Sequence, residues 1–214
     1  MSDPLARWLS DGGPALERLV RALRGLIETA VTSVAPPAFV DDATARVEAV
    51  TALLRPHVPD PLPPRYLASG EFSGPDALMP FDPVSGRLSP IAPPLALSCD
   101  TGVAIATVCF ETPYEGPPGC VHGGVIAACF DQVLNAANLA AGVPGLTASL
   151  EVRYRRPTPL RAPLRFEAGP PAVDGKQVRT TGTLSAGDVV TAEAVGSFVR
   201  LPLDRIMTLT NAPR

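Results

Sequence analysis

Lysine is almost missing from this 214-residue chain: Lys176 is the only one, so nearly all positive charge is arginine, a side chain that grips phosphate well. Histidine is nearly as scarce. His57 and His122 lie 65 residues apart, and no cysteine stands at structural-zinc spacing from either, so the chain is expected to hold no metal. Cys99, Cys109, Cys120 and Cys129 are nine to eleven residues apart with no Cys-x-x-Cys pair, which fits reduced thiols rather than a redox or zinc motif. No run approaches the roughly 18 uninterrupted apolar residues of a membrane span, and Asp100 and Asp131 interrupt the best candidates. The first residues, Met-Ser-Asp-Pro, show no basic segment followed by an apolar core, so the expected location is the cytoplasm. A formal charge of −3 supplies no field that would draw nucleic acid. Phosphate-loop, dinucleotide-binding and Gly-x-Ser-x-Gly patterns are all missing. What remains is ordinary globular material, 46% hydrophobic and 18% charged, enough for one sizeable core and an appendage.

The appendage comes first. Leu16, Leu19, Val20, Leu23, Ile27 and Val31 recur at three- and four-residue spacing, predicting an amphipathic helix over 14–34 that starts at Pro14 and stops before Pro36-Pro37. It is expected to dock on the main domain or on a partner subunit. A second helix is predicted over about 42–54, capped by Asp41-Asp42 and ended by Pro56. Eleven prolines between Pro56 and Pro94 then predict an irregular surface arm, with Tyr66, Leu67, Phe72, Leu78, Met79 and Phe81 as anchors. From Pro94 onward strand-like runs appear over 95–98 and 103–110, around a turn signal at Cys99–Gly102. A helix follows over 123–140. Four strands are then predicted over 147–155, 164–168, 177–185 and 189–200, with turns at Gly175 and Gly187. Two strands, one apolar helix and four antiparallel strands predict an α+β fold in which a sheet curls around the helix.

Chemistry concentrates where that helix begins, in Tyr114-Glu-Gly-Pro-Pro-Gly-Cys-Val-His122-Gly123-Gly124. Unpaired N–H groups and the helix dipole favour negative charge at such a terminus. Asp131 stands alone among Val, Ile, Ala, Cys and Phe, where a carboxylate without a partner or a task is costly. An anion-holding turn and a carboxylate within ten residues suggest attack on a carbonyl. Downstream, Pro144-Gly-Leu-Thr147 opens the next strand and Tyr154-Arg155-Arg156-Pro157 closes it.

These motifs together resemble the hotdog fold, and within it the acyl-CoA thioesterases of the phenylacetate-pathway, or PaaI-like, type. The resemblance spans about residues 85–201. It implies a hotdog domain over 81–205, an N-terminal extension over 1–80 and a tail over 206–214. It further implies that the Gly123 N–H polarises the thioester carbonyl and holds the oxyanion. Asp131 is then the general base on a water, or a nucleophile forming a transient anhydride, and Thr147 helps position the water. His122 orients the turn or touches the thioester. Gly124 and Tyr154 are placed against the substrate. Bidentate arginine suits phosphate, so one of Arg155 and Arg156 is expected to contact the nucleotide of CoA. Because successive strand residues face opposite ways, at most one does so. The implied substrate is an acyl-CoA or aryl-CoA, with no cofactor.

Gly124 and Asp131 share a helix face but are separated by about 10.5 Å along its axis. One Asp131 therefore cannot serve its own helix terminus, and a complete site needs two subunits, as a homodimer or a dimer of dimers; family resemblance implies the same. Two departures stand out: Gly116 occupies a position where many relatives carry Asn or Asp, and Gln132 stands where a second acid sometimes follows the first. Two other functions stay open. One is a non-catalytic hotdog protein that binds acyl-CoA or serves assembly. The other is a hydratase or dehydratase on the same fold.

Overall fold

The computed structural model describes residues 4–60, 62 and 79–207. Its centre is helix α3, Gly123–Ala140, flanked by α1 (Pro4–Thr32), α2 (Pro37–Leu54) and a short C-terminal α4 (Leu203–Met207). The strands are β1 (Ala96–Asp100), β2 (Val103–Val108), β3 (Gly145–Tyr154), β4 (Leu164–Ala168), β5 (Ala172–Asp174), β6 (Gln177–Ala186) and β7 (Val189–Arg200). They form one antiparallel sheet in the order β1-β2-β4-β6-β7-β3, with β5 paired to the start of β6. Among the described residues, no helix is long and apolar enough to cross a membrane.

The sheet curls around α3, as expected of a hotdog fold. Ile126, Phe130, Val133, Leu134 and Ala137 face inward from the helix. They meet the alternating inward residues of the strands: Ala104, Ala106 and Val108 of β2, Phe166 of β4, Leu184 of β6, and Phe198 of β7. Phe130 and Phe166 pack edge to face with ring centroids 5.0 Å apart. Asn138 and Thr180 are fully buried polar residues in this core, and the Thr180 hydroxyl donates to Asn138 Oδ1.

β3 breaks the pattern. It lies at one end of the sheet, and seven of its ten residues are exposed. Its pairing with β7 shifts register between Thr147 and Ser149. A bulge of this kind bends the strand and re-aims a side chain.

Three expectations need correction. Helix α1 begins at Pro4 and runs through Gly12-Gly13-Pro14, where a start had been expected. Tertiary packing explains the continuation: Leu9, one turn before the glycines, is buried against Leu88 beside Leu16 and Phe81. Helix α2 starts five residues early, at Pro37 behind Pro36, with no side-chain cap from the acidic pair. Proline suits a first helical turn because its missing N–H is unpaired there in any case. Third, β5 adds a strand between β4 and β6 that the sequence pattern does not signal.

The two N-terminal helices behave differently. α1 docks on the sheet domain: Arg24 Nη2 donates to Ser89 O at 2.8 Å, and Thr112 Oγ1 donates to Glu28 Oε1 at 3.0 Å. Every described residue of α2 is exposed. Of the anchors expected in the proline-rich arm, Phe81 is partly buried and Met79 is exposed; Tyr66, Leu67, Phe72 and Leu78 lie outside the described residues.

Candidate active site

The turn before α3 is a small knot of backbone hydrogen bonds. Gly116 N–H donates to Cys120 O at 2.9 Å, Cys120 N–H to Pro117 O at 2.8 Å, and His122 N–H to Tyr114 O at 2.8 Å. Glu115 Oε1 accepts the Gly119 N–H at 2.7 Å, and Gly119 adopts φ +74, a left-handed conformation that glycine takes at little cost. Val121 N–H to Thr158 O (2.9 Å) and Leu160 N–H to Gly119 O (3.0 Å) fasten the loop to the segment after β3.

Folding back so tightly leaves Gly116 no room. A Cβ there would lie 2.8 Å from His122 Cα and 3.2 Å from His122 Cβ, closer than carbon atoms pack. A side chain at this position would thus force this loop to shift.

His122 is the N-cap of α3. Its Nδ1 accepts the Gly124 N–H at 3.0 Å, so the neutral ring carries its proton on Nε2. Gly124 is occupied by its own cap. The Gly123 N–H makes no hydrogen bond among the described residues, which leaves it as the donor at the helix start. On the other side of that residue, the Tyr154 hydroxyl donates to Gly123 O at 2.7 Å. A Cβ on residue 123 would meet the Tyr154 hydroxyl at 3.2 Å, so glycine here allows the tyrosine to lie against the turn. Partial burial raises the Tyr154 pKa above its ordinary value.

Two turns along α3, the bulge in β3 brings Thr147 to Asp131. The Thr147 hydroxyl donates to Asp131 Oδ1 at 2.7 Å. Asn135, one turn past Asp131 on the same face, donates from Nδ2 to Thr147 Oγ1 at 3.3 Å and to Asp131 O at 3.1 Å. Sequence reading missed Asn135, although an amide four residues after a singled-out carboxylate on one helix is a usable signal. Gln132 points elsewhere, to Asp82 Oδ2 at 3.2 Å. Asp82 Oδ1 in turn accepts the N–H groups of Val84 and Ser85, at 2.8 and 2.7 Å.

The two arginines after β3 differ. Arg155 is forked onto Glu193 Oε2 through Nε at 3.0 Å and Nη2 at 2.7 Å. Arg156 has no ion pair among the described residues and borders a cavity of about 440 Å³, shared with Gly123, Tyr154 and Pro157. Cys129 is fully buried on α3, and desolvation pushes its thiol up to about 12, so it carries no thiolate near neutrality. Among the described residues no cluster of three or more His, Cys, Asp or Glu side chains is arranged to hold a metal.

The fold agrees with that of known proteins this chain is similar to. The thioesterase superfamily model matches residues 118–193, which include the end of the turn, α3 and the strand β3 that carries both Thr147 and Tyr154. A crystal structure described as a thioesterase superfamily protein is 32% identical, with a TM-score of 0.77 over 86% of this chain and 94% of its own. The chain belongs to the thioesterase superfamily.

Two curated relatives are also similar. The acyl-coenzyme A thioesterase THEM4 of Xenopus laevis is 35% identical over 94 residues, covering 42% of this chain and 41% of that protein. Its counterpart in Mus musculus is 29% identical over 96 residues, covering 44% and 41%. The present chain thus matches less than half the length of these curated relatives.

Proposed function

We propose that this protein is an acyl-CoA thioesterase whose active sites lie between two copies of the chain, without metal or organic cofactor. The observation that carries the reading is the Thr147–Asp131 hydrogen bond, which ties the one charged group of α3 to a hydroxyl on a neighbouring strand. Such a pair presents an oriented carboxylate oxygen to a water. Asp131 takes the water's proton as its oxygen attacks the thioester carbonyl. The oxyanion forms against the Gly123 N–H, and collapse of the tetrahedral intermediate breaks the C–S bond. The departing thiolate then recovers a proton and leaves as CoA. An oxyanion donor of this kind typically lowers the barrier by about 3 kcal/mol. If Asp131 attacks directly, the same geometry gives an acyl-aspartyl anhydride that water then opens.

Two observations support the dimer. Gly123 and Asp131 are eight residues apart on one straight helix, so each must serve a site completed from elsewhere. β3 is a ten-residue edge strand exposed along most of its length, a row of unpaired backbone groups suited to a second copy. Residues 81–205 form the catalytic unit in this reading, 1–80 the extension and 206–214 the tail. Arg156 is assigned to the phosphates of CoA, because Arg155 is committed to Glu193. His122 Nδ1 is engaged as a helix cap, which leaves Nε2 as the ring atom open to a substrate. Cytoplasmic residence belongs to the same proposal.

The test is thiol release from acyl-CoAs by the wild type and by Asp131→Asn. Hydrolysis that collapses in a folded variant supports the enzyme. Tight acyl-CoA binding with no release by the wild type would replace it with the binding protein.

A further inference from the structure

Helix α1 meets the turn that leads into α3 with charged side chains. Arg24 and Glu28 are four residues apart and so share one face of the helix. Arg24 Nε and Glu28 Oε2 are both buried, with no hydrogen-bond partner among the described residues. Taking charged groups out of water is costly, and α1 also has an exposed face, where Arg18 and Arg21 lie. The burial points to a task at the groups these two side chains touch.

Glu28 touches Thr112. The Thr112 hydroxyl donates to Glu28 Oε1 at 3.0 Å and accepts from Arg161 Nη2, so one hydroxyl joins α1 to the segment after β3. Arg161 is itself constrained. It is a non-glycine residue at φ +54, its N–H donates to Phe110 O at 2.9 Å, and its Nε lies 3.4 Å from Glu111 Oε2. Such a backbone persists only where its surroundings hold it.

Thr112 opens a 3-10 turn, Thr112–Tyr114, in which Tyr114 N–H donates to Glu111 O at 3.1 Å and Glu115 N–H to Thr112 O at 3.0 Å. The Tyr114 carbonyl then accepts the His122 N–H, directly before Gly123. Behind this turn the Tyr114 ring packs edge to face on the buried Phe110, with centroids 5.5 Å apart. Burial raises the Tyr114 pKa and the Arg24 guanidinium opposes the rise, which places Arg24 near that hydroxyl. Arg24, Glu28 and Thr112 all lie outside the 118–193 segment matched by the superfamily model.

Resting on the thioesterase reading, we propose that Glu28 is a positioning residue for catalysis, acting on the turn through the Thr112 hydroxyl. Thr112 carries the constraint to the Tyr114 carbonyl, and that carbonyl sets the backbone of His122 and Gly123, whose N–H is assigned to the oxyanion. Helix α1 is then part of the scaffold of the active site.

Two measurements on the full-length protein test this, one of them independent of turnover. Hydrogen–deuterium exchange reads the backbone bonds of residues 114–124. Glu28→Ala should speed exchange there about tenfold and leave β6 unchanged. In steady-state kinetics the same variant should lower kcat about tenfold and keep KM within about twofold, as when only transition-state geometry is lost. Glu28→Gln keeps an acceptor for the hydroxyl and should restore both readouts. Thr112→Val breaks the link from the other side. The double variant Glu28→Ala/Thr112→Val should lose no more than Thr112→Val alone.

Losses that multiply in the double variant would show that Glu28 acts elsewhere and overturn the proposal. Unchanged kcat or unchanged exchange in Glu28→Ala would do the same whatever its melting temperature, since a helix that only adds stability leaves both alone. A wild type that releases no thiol sinks the hydrolase reading instead, and exchange then decides whether Glu28 holds the turn.

Discussion

Thr147 reaches Asp131 from a different element of the fold, its hydroxyl donating to Oδ1 across 2.7 Å at the point where β3 slips register against β7. The bond engages one carboxylate oxygen, and in the proposed mechanism the other addresses a water. Hydrogen bonds to charged groups contribute about 1.5–3 kcal/mol, so Thr147→Val should lower kcat roughly 10- to 100-fold with little change in KM. Thr147→Ser, which keeps the hydroxyl, should retain most activity. Steady-state kinetics of the two variants beside the wild type checks this.

Gly116 is a departure from the pattern that the resemblance implies, and the closed loop leaves no room for a side chain there. Installing Asn there to imitate relatives should displace His122, destabilise the protein by about 1–3 kcal/mol and lower activity. Thermal melts and kinetics of Gly116→Asn together report it. A stable, faster variant would show that the loop relaxes freely.

Tyr154 holds the carbonyl of the residue whose N–H is assigned to the oxyanion. Tyr154→Phe removes a hydrogen bond worth about 1 kcal/mol, so a several-fold loss is expected in kcat with a drop of only a few degrees in melting temperature. An effect on KM alone would mean that the ring serves substrate binding only.

The arginine pair separates by partner. Arg156→Ala should raise KM for CoA thioesters at least tenfold, with the effect shrinking as salt rises. Arg155→Ala removes a surface pair with Glu193 and should cost less than about 1 kcal/mol of stability. Salt-dependent kinetics of both variants decides between them.

Cys129 predicts a pH dependence of stability. Its folded pKa is raised from 9.0 to about 12 by burial, so below pH 9 the thiol is neutral in both states and contributes no pH dependence. Above pH 9 the unfolded chain loses the proton first, and stability should fall until about pH 12. Melting temperatures across that range, for wild type and Cys129→Ala, should show a smaller slope in the variant.

Much of this was legible in the residues. The bounds of α3 follow from Gly123 and the stop before Gly142, and β4 and β7 fall where alternation placed them. The parts that were not legible depend on distant contacts. Leu9 on Leu88 carries α1 through a Gly-Gly-Pro that local propensity would break. Asp82 holding Gln132, across 50 residues, has no signature in either segment. The crowding of Gly116 against His122 exists only once the loop has closed, so the packing demand for glycine there has no signal in the sequence.

The most direct test of the two-copy site is subunit complementation. Asp131→Asn and Gly123→Val are each expected to be inactive, the second because its side chain meets Tyr154. Mixed and allowed to exchange at equal amounts, half the dimers become hybrids, each with one site that joins an intact Gly123 from one copy to an intact Asp131 from the other. The expected result is recovery of about a quarter of wild-type thioesterase activity, in step with hybrid formation. Hybrids verified by native mass spectrometry that remain inactive would contradict a site shared between two copies.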